Sequence, residues 1–166
     1  FGGIYDALSV GKFDLIVGGV TVSPDEESRV SYSRSYFDDG LVVVAGPESS
    51  GRVLGIESGS DADLTLPSLR DKLAGFSFRP FDDQDQIRAA VEGHTLRGAI
   101  VDRVTASLWA REAHELTVAN SNLTSDPFVV GARRGDAELL RAVDRALQAM
   151  ITDGFITTLE RKWLTS

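Results

Sequence analysis

The chain has no cysteine among its 166 residues. That removes disulfides, thiolate nucleophiles and cysteine-based zinc sites. Histidine is scarce too. His94 and His114 are the two present, both in polar surroundings and without metal-ligand spacing, so both read as surface residues and no metal is expected. No G-x-S-x-G elbow or other nucleophile–base signature occurs, so no catalytic residue is assigned. Positive charge is in deficit: 17 Lys and Arg stand against 25 Asp and Glu, a net charge of −8. A nucleic-acid partner calls for a basic surface and is therefore not expected. No apolar run approaches a membrane span, so no direct membrane insertion is expected in this segment. Repeats and low-complexity stretches are absent as well.

What remains is a chain of 42% hydrophobic and 25% charged residues, ordinary for a folded protein of one domain or two small lobes. Tyr5 to Leu8 reads as the end of a helix, stopped by Gly11. Phe13 to Val17 reads as a short strand. Ser23-Pro24-Asp25-Glu26 is a helix-start signal, with acids in the first turn. Strands are expected at Leu41 to Ala45, Val53 to Ile56, Phe76 to Arg79, Gly98 to Val101, Leu116 to Val118 and Phe128 to Ala132. A helix between Leu64 and Leu73 is expected to restart at Pro67. Asp83 to Glu92, stopped by Gly93, and Val104 to Arg111 read as helices.

The tail carries the strongest helical pattern. Asp136 is placed to cap it, and Leu139, Leu140, Val143, Leu147, Met150 and Ile151 recur at helical spacing. Gly154 separates this helix from a last one, Phe155 to Trp163. These stripes, with Trp109 and Trp163, read as core. Alternating strands and helices of this length indicate an α/β protein with mainly parallel strands. Ligands of such sheets bind beyond the carboxyl ends of strands. Gly18 to Thr21, Gly59 to Asp61, and Asp102 all fall at such ends. Arg134-Gly135-Asp136 reads as a turn before a helix, and Asn122-Leu123-Thr124 matches a glycosylation sequon.

Several segments match one known pattern. Gly11-Lys12-Phe13-Asp14-Leu15-Ile16 leads to Thr21-Val22-Ser23-Pro24-Asp25-Glu26 and then to Val30-Ser31-Tyr32-Ser33-Arg34-Ser35-Tyr36. This resembles G-K-x-D-x-I, T-x-T-P-E-R and V-x-F-S-x-P-Y of family 3 extracellular solute-binding proteins, the amino-acid-type receptors of ABC importers. Gly51-Arg52-Val53-Leu54-Gly55-Ile56-Glu57-Ser58-Gly59-Ser60 is similar to the segment that opens the family's second lobe. Gly98 to Arg103, Val130 to Leu139, and Asp153-Gly154-Phe155 with Lys162-Trp163 follow in matching order.

The resemblance implies a two-lobed type II periplasmic-binding-protein-like fold, with sheets flanked by helices and a hinge between lobes. Lobe one would be residues 1–45 and 126–166, and lobe two 46–125. Family members begin with strands, a helix and an aromatic stacking residue that would precede Phe1. Lobe one is thus expected to lack its N-terminal strands, and the isolated fragment to be unstable. The loop from Gly46 to Gly51 is shorter than the family's.

The resemblance also implies a function. The chain would be a receptor that takes a small-molecule ligand in the cleft between lobes and delivers it to an ABC transporter permease. It would act as a monomer, without cofactor, in the periplasm or at the cell surface. Matched by position, the ligand-binding residues are Gly19, Thr21, Glu26, Ser60, Asp61 and Asp102. In amino-acid-binding members the residue at Asp102 takes the ligand's ammonium group, and an Arg at the position of Glu26 takes its carboxylate. Glu26 cannot do so. Either the ligand is cationic or neutral and polyhydroxylated, or Glu26 pairs with Arg29 and another group such as Arg34 takes the carboxylate. The same lobes serve as sensory domains of histidine kinases and glutamate-receptor-like channels. They also serve in enzymes such as dehydratases and lytic transglycosylases, so fold does not decide between these roles.

Overall fold

The structure, a computed structural model, describes residues 3–47, 51–119 and 122–164. Phe1 and the tip of the expected short loop, Glu48 to Ser50, lie outside the described residues. Helix α1 is Ile4–Ser9, with Gly11 just past its end. Strand β1 is Leu15–Ile16. The Ser-Pro-acid signal produces only a single 3-10 turn, Pro24–Glu26, and the Ser23 side chain makes no capping bond. Strands β2 (Val30–Tyr32), β3 (Phe37–Asp38) and β4 (Leu41–Ala45) follow. Next come β5 (Val53–Glu57), α2 (Asp61–Leu69), β6 (Ser77–Phe81) and α3 (Gln84–Glu92). Then come β7 (Gly98–Asp102), α4 (Arg103–Glu112), β8 (Thr117–Val118), β9 (Pro127–Phe128) and β10 (Gly131–Arg133). Helices α5 (Ala137–Thr152) and α6 (Phe155–Leu164) close the chain.

The chain divides into two compact units. One is Phe1–Asp38 with Asp126–Glu160, and the other is Asp39–Ser125 with Arg161–Ser166. Residues 39–45, expected with lobe one, fall in the second of these units. Strand β4 is hydrogen-bonded along its whole length to β7, from Leu41 opposite Asp102 to Ala45 opposite Gly98. The last residues of α6 also go with the second unit, where Arg111 donates to the Trp163 carbonyl at 2.6 Å.

The first unit has the three-stranded sheet β1-β10-β2 and the pair β3-β9, all antiparallel. Its core is Leu8, Ile16, Val20 and Val30, with Tyr5, Phe13 and Tyr32 packed around them. The second unit has a five-stranded sheet ordered β6-β5-β7-β4-β8. Strand β5 runs parallel to both β6 and β7, as helical crossovers require, while β4 runs antiparallel to both its neighbours, β7 and β8. Side chains alternate across this sheet. Val42, Val44, Ala99 and Val101 face the cluster holding Ile87, Val91 and Trp109, while Leu41, Leu54, Ile56 and Ile100 face the one holding Leu69 and Leu73. A Cβ on Gly98 would stand 2.3 Å from the Val44 carbonyl, so only glycine fits where β7 starts against β4. Pro80 sits on the edge strand β6, where its missing N–H breaks no ladder.

Helix α2 begins at Asp61, three residues earlier than expected, and continues through Pro67 instead of restarting there. It starts early because Ser60 caps it. The α3 stop also shifts: Gly93 keeps a negative φ and His94 takes the left-handed turn at 58°. Trp109 is core, at 7% exposure. Trp163 is not: it is 55% exposed, and Phe155, Leu159 and Ile151 are exposed with it. Of the six-residue α5 stripe only Leu147 is buried; Leu139, Leu140, Val143 and Met150 are half-buried and Ile151 is exposed.

The burial pattern predicts that Leu54→Ala, fully buried in the second unit, loses about 2–5 kcal/mol. Leu64→Ala, exposed on α2, should change stability by no more than about 0.5 kcal/mol. Urea unfolding followed by circular dichroism measures both, and equal losses would contradict the assignment of this core.

Candidate functional site

The candidate residues fall into two groups, one in each unit. In the first unit Gly19 and Thr21 lie on the loop after β1. The Val129 N–H donates to the Val20 carbonyl at 2.8 Å and ties this loop down. The Phe128 ring lies against Gly19, where a Cβ would meet it at 3.3 Å. The Tyr36 hydroxyl donates to the Gly18 carbonyl. Burial raises the Tyr36 phenol above its ordinary value, and burial does the same at Tyr32. Thr21 is half-buried, and its hydroxyl has no hydrogen bond among the described residues. It is a donor and acceptor available to a ligand.

Glu26 sits on the 3-10 turn with its side chain 19% exposed. Its Oε2 accepts from Arg29 Nε at 3.0 Å and Nη2 at 2.5 Å. The other side of the Arg29 guanidinium reaches Asp6 Oδ1 at 2.5 Å. Hydrogen bonds to Asp6 and then Glu26 hold the Arg29 guanidinium above its ordinary value. The structure therefore gives Glu26 the pairing with Arg29. Arg34 uses its backbone N–H on Asp144 Oδ1 at 2.8 Å, and its side chain is exposed.

In the second unit Ser60 and Asp61 follow β5, and Asp102 ends β7. Strands β5 and β7 are parallel neighbours, so both groups stand at the same end of one sheet. Gly59 takes a left-handed φ of 75°, which lets the chain turn into α2. Ser60 caps α2: its Oγ accepts from the Asp63 N–H at 3.4 Å and donates to the Glu57 carbonyl at 2.7 Å. Asp63 Oδ2 accepts from the Gly59 N–H at 2.9 Å, one residue before the cap. Asp61 is exposed beside it. Asp102 caps α4, its Oδ1 accepting from the Thr105 N–H at 2.7 Å. The adjacent Val104 N–H goes to Asp39 Oδ1 at 2.8 Å.

Asp63 and Asp39 are absent from the candidates that motifs supply. The S-x-x-D spacing from Ser60 is a capping signature that points to Asp63. No local pattern points to Asp39, which lies 65 residues from its partner. Other motifs are absorbed by structure. Asn122 accepts from Arg103, and Thr124 Oγ1 accepts from the Leu41 N–H at 2.9 Å, so the sequon's side chains hold the chain in place. Arg134 donates to the Glu27 carbonyl. Asp136, expected as a helix cap, instead pairs with Arg133 at 2.9 Å. Both histidines are exposed, and no cluster of potential metal ligands occurs among the described residues. Nor is any helix among them long and apolar enough to cross a membrane.

A two-unit α/β chain with polar groups gathered at strand ends is the build of a solute-binding module. The profile of the bacterial extracellular solute-binding proteins, family 3, matches residues 1–166, and the chain belongs to that family. It is 24% identical over 172 residues to the L-cystine-binding protein TcyJ of Escherichia coli, covering 97% of this chain and 64% of that one. It is 19% identical over 175 residues to ABC transporter arginine-binding protein 1 of Escherichia coli, covering 98% and 71%. The chain thus spans roughly two thirds of these relatives' length. Among solved structures, substrate-binding domain 2 of Lactococcus lactis GlnP in its open conformation superposes with a TM-score of 0.82 at 14% identity, covering 100% of this chain and 75% of that one. An ancestral cyclohexadienyl dehydratase superposes at 0.72 with 22% identity, covering 99% and 73%.

The burial of Tyr36 predicts a pH effect with a definite sign. A folded-state value above the unfolded one, about 10, gives stability that is present below pH 10 and lost as pH rises through the folded value. Absorbance at 295 nm should show phenols ionising later than free tyrosine, and Tyr36→Phe should remove one of them and leave that of Tyr32. A titration unchanged by that substitution would contradict the assignment.

Proposed function

We propose that the chain is the ligand-binding part of a receptor for an ABC importer, taking a small polar ligand that carries a cationic group. The observation that supports this most is Asp102: a half-buried carboxylate at a strand end that commits only one oxygen to the protein among the described residues. Asp61, at the same end of the sheet, adds negative charge. The first unit offers hydrogen-bonding groups in Thr21 and the Gly18-Gly19 backbone. The carboxylate of Glu26 is offset by Arg29, so the preference for a cation rests on the second unit. Relatives named for arginine binding agree with this chemistry.

The proposal is binding without turnover, at the periplasmic or outer face of the cell, with the permease as partner. The likeness to a dehydratase is one of fold alone at 22% identity. A ligand that binds only the folded state raises the melting temperature by mass action. Thermal shift with arginine, lysine, agmatine, a diamine, glutamate and glutamine tests the reading. Stabilisation by the cationic compounds is expected. Stabilisation by glutamate alone, or turnover of any compound, would overturn it.

A further inference from the structure

The start of α4 is served by two carboxylates, and each takes one of its amides. Asp102 is the N-cap, with extended backbone angles of φ −64° and ψ 158°. An N-cap side chain can accept from the second or the third helical amide. Here Asp102 takes the third, Thr105, through Oδ1 at 2.7 Å. The second, Val104, is taken by Asp39 Oδ1 at 2.8 Å. Asp39 reaches it because β4 pairs with β7 in a register that sets Leu41 opposite Asp102, which brings the residues just before β4 beside the start of α4.

We propose that Asp39 is a positioning residue for ligand binding: by satisfying the Val104 amide it leaves Asp102 with one oxygen for a ligand's cationic group. The physical argument is competition. A partly buried amide left without an acceptor costs free energy, so it seeks the nearest carboxylate. Without Asp39 that acceptor is Oδ2 of Asp102, which can cap both amides at once. An oxygen turned to the helix is lost to the ligand. Asp39 stands at the junction where the chain enters the second unit, so the residue that frees Asp102 also fixes the end of the crossing segment. This inference rests on the reading that Asp102 holds the cation.

Calorimetric titration of the full chain with arginine tests it, using wild type and the variants D102N, D39N and D39A. Both Asp39 substitutions remove a charge, but only alanine removes the acceptor. D39A is expected to bind arginine about tenfold more weakly than D39N, the factor set by one capping bond. Equal affinities in D39N and D39A would overturn the positioning role. D102N binding like wild type, or no binding of arginine by wild type, would instead overturn the reading beneath it. Asp39 has further contacts, and D39A could fail to fold. A crystal structure of wild type with arginine covers that case. It should show Asp39 on the Val104 amide and the cation on the second oxygen of Asp102. Both amides on Asp102 in that complex would overturn the proposal.

Discussion

The antiparallel pairing of β4 with β7 is the constraint from which the second unit follows. Five consecutive residue pairs, from Leu41 with Asp102 to Ala45 with Gly98, set the register. A slip of one residue would turn Val42 and Val44 away from the cluster holding Ile87 and Trp109. It would also separate Asp39 from Val104. The glycine at position 98 permits the close approach, and β5 then docks in parallel on the other side of β7. The core and the candidate site are thus two results of one alignment. The end of β7 that lies against the chain entry is the Asp102 end, where the chain is handed directly into α4.

Charge is distributed differently in the two units. In the first, the Glu26 carboxylate is held by Arg29, itself shared with Asp6. Arg133 does similar work nearby, joining Asp14 and Asp136 and bonding the Phe13 carbonyl. These pairs are partly exposed, and the net effect of such pairs on stability is small. In the second unit carboxylates serve helix starts: Ser60 with Asp63 at α2, and Asp102 with Asp39 at α4. Carboxylates there are favoured by the helix dipole, so no nearby cation is needed to hold them. In the proposed reading, the second oxygen of Asp102 is the part of this arrangement that meets a positively charged ligand.

Much of this was legible in the sequence, for physical reasons. Apolar runs bounded by turn residues marked β4, β5 and β7, and a strand-ending Asp marked position 102. Family resemblance named Gly19, Thr21, Glu26, Ser60 and Asp61 as candidates for the proposed site. What the sequence hid was mostly non-local. The membership of β4 in the second unit depends on a partner nearly 60 residues away, and Asp39 has no local signature at all. Asp136 fits a helix cap by type, yet Arg133 three residues earlier competes for it and wins. Trp163 and the α5 stripe read as core because helical spacing reports that a face is apolar, not that something covers it.

The central claim is that the ligand is held at the carboxyl ends of β5 and β7. Backbone chemical-shift mapping by NMR during an arginine titration addresses it most directly. The account predicts that the largest changes fall at Ser60, Asp61 and the amides from Asp102 to Thr105. Changes confined to the opposite end of the same sheet, around Gly46, Val53 and Gly98, would contradict it.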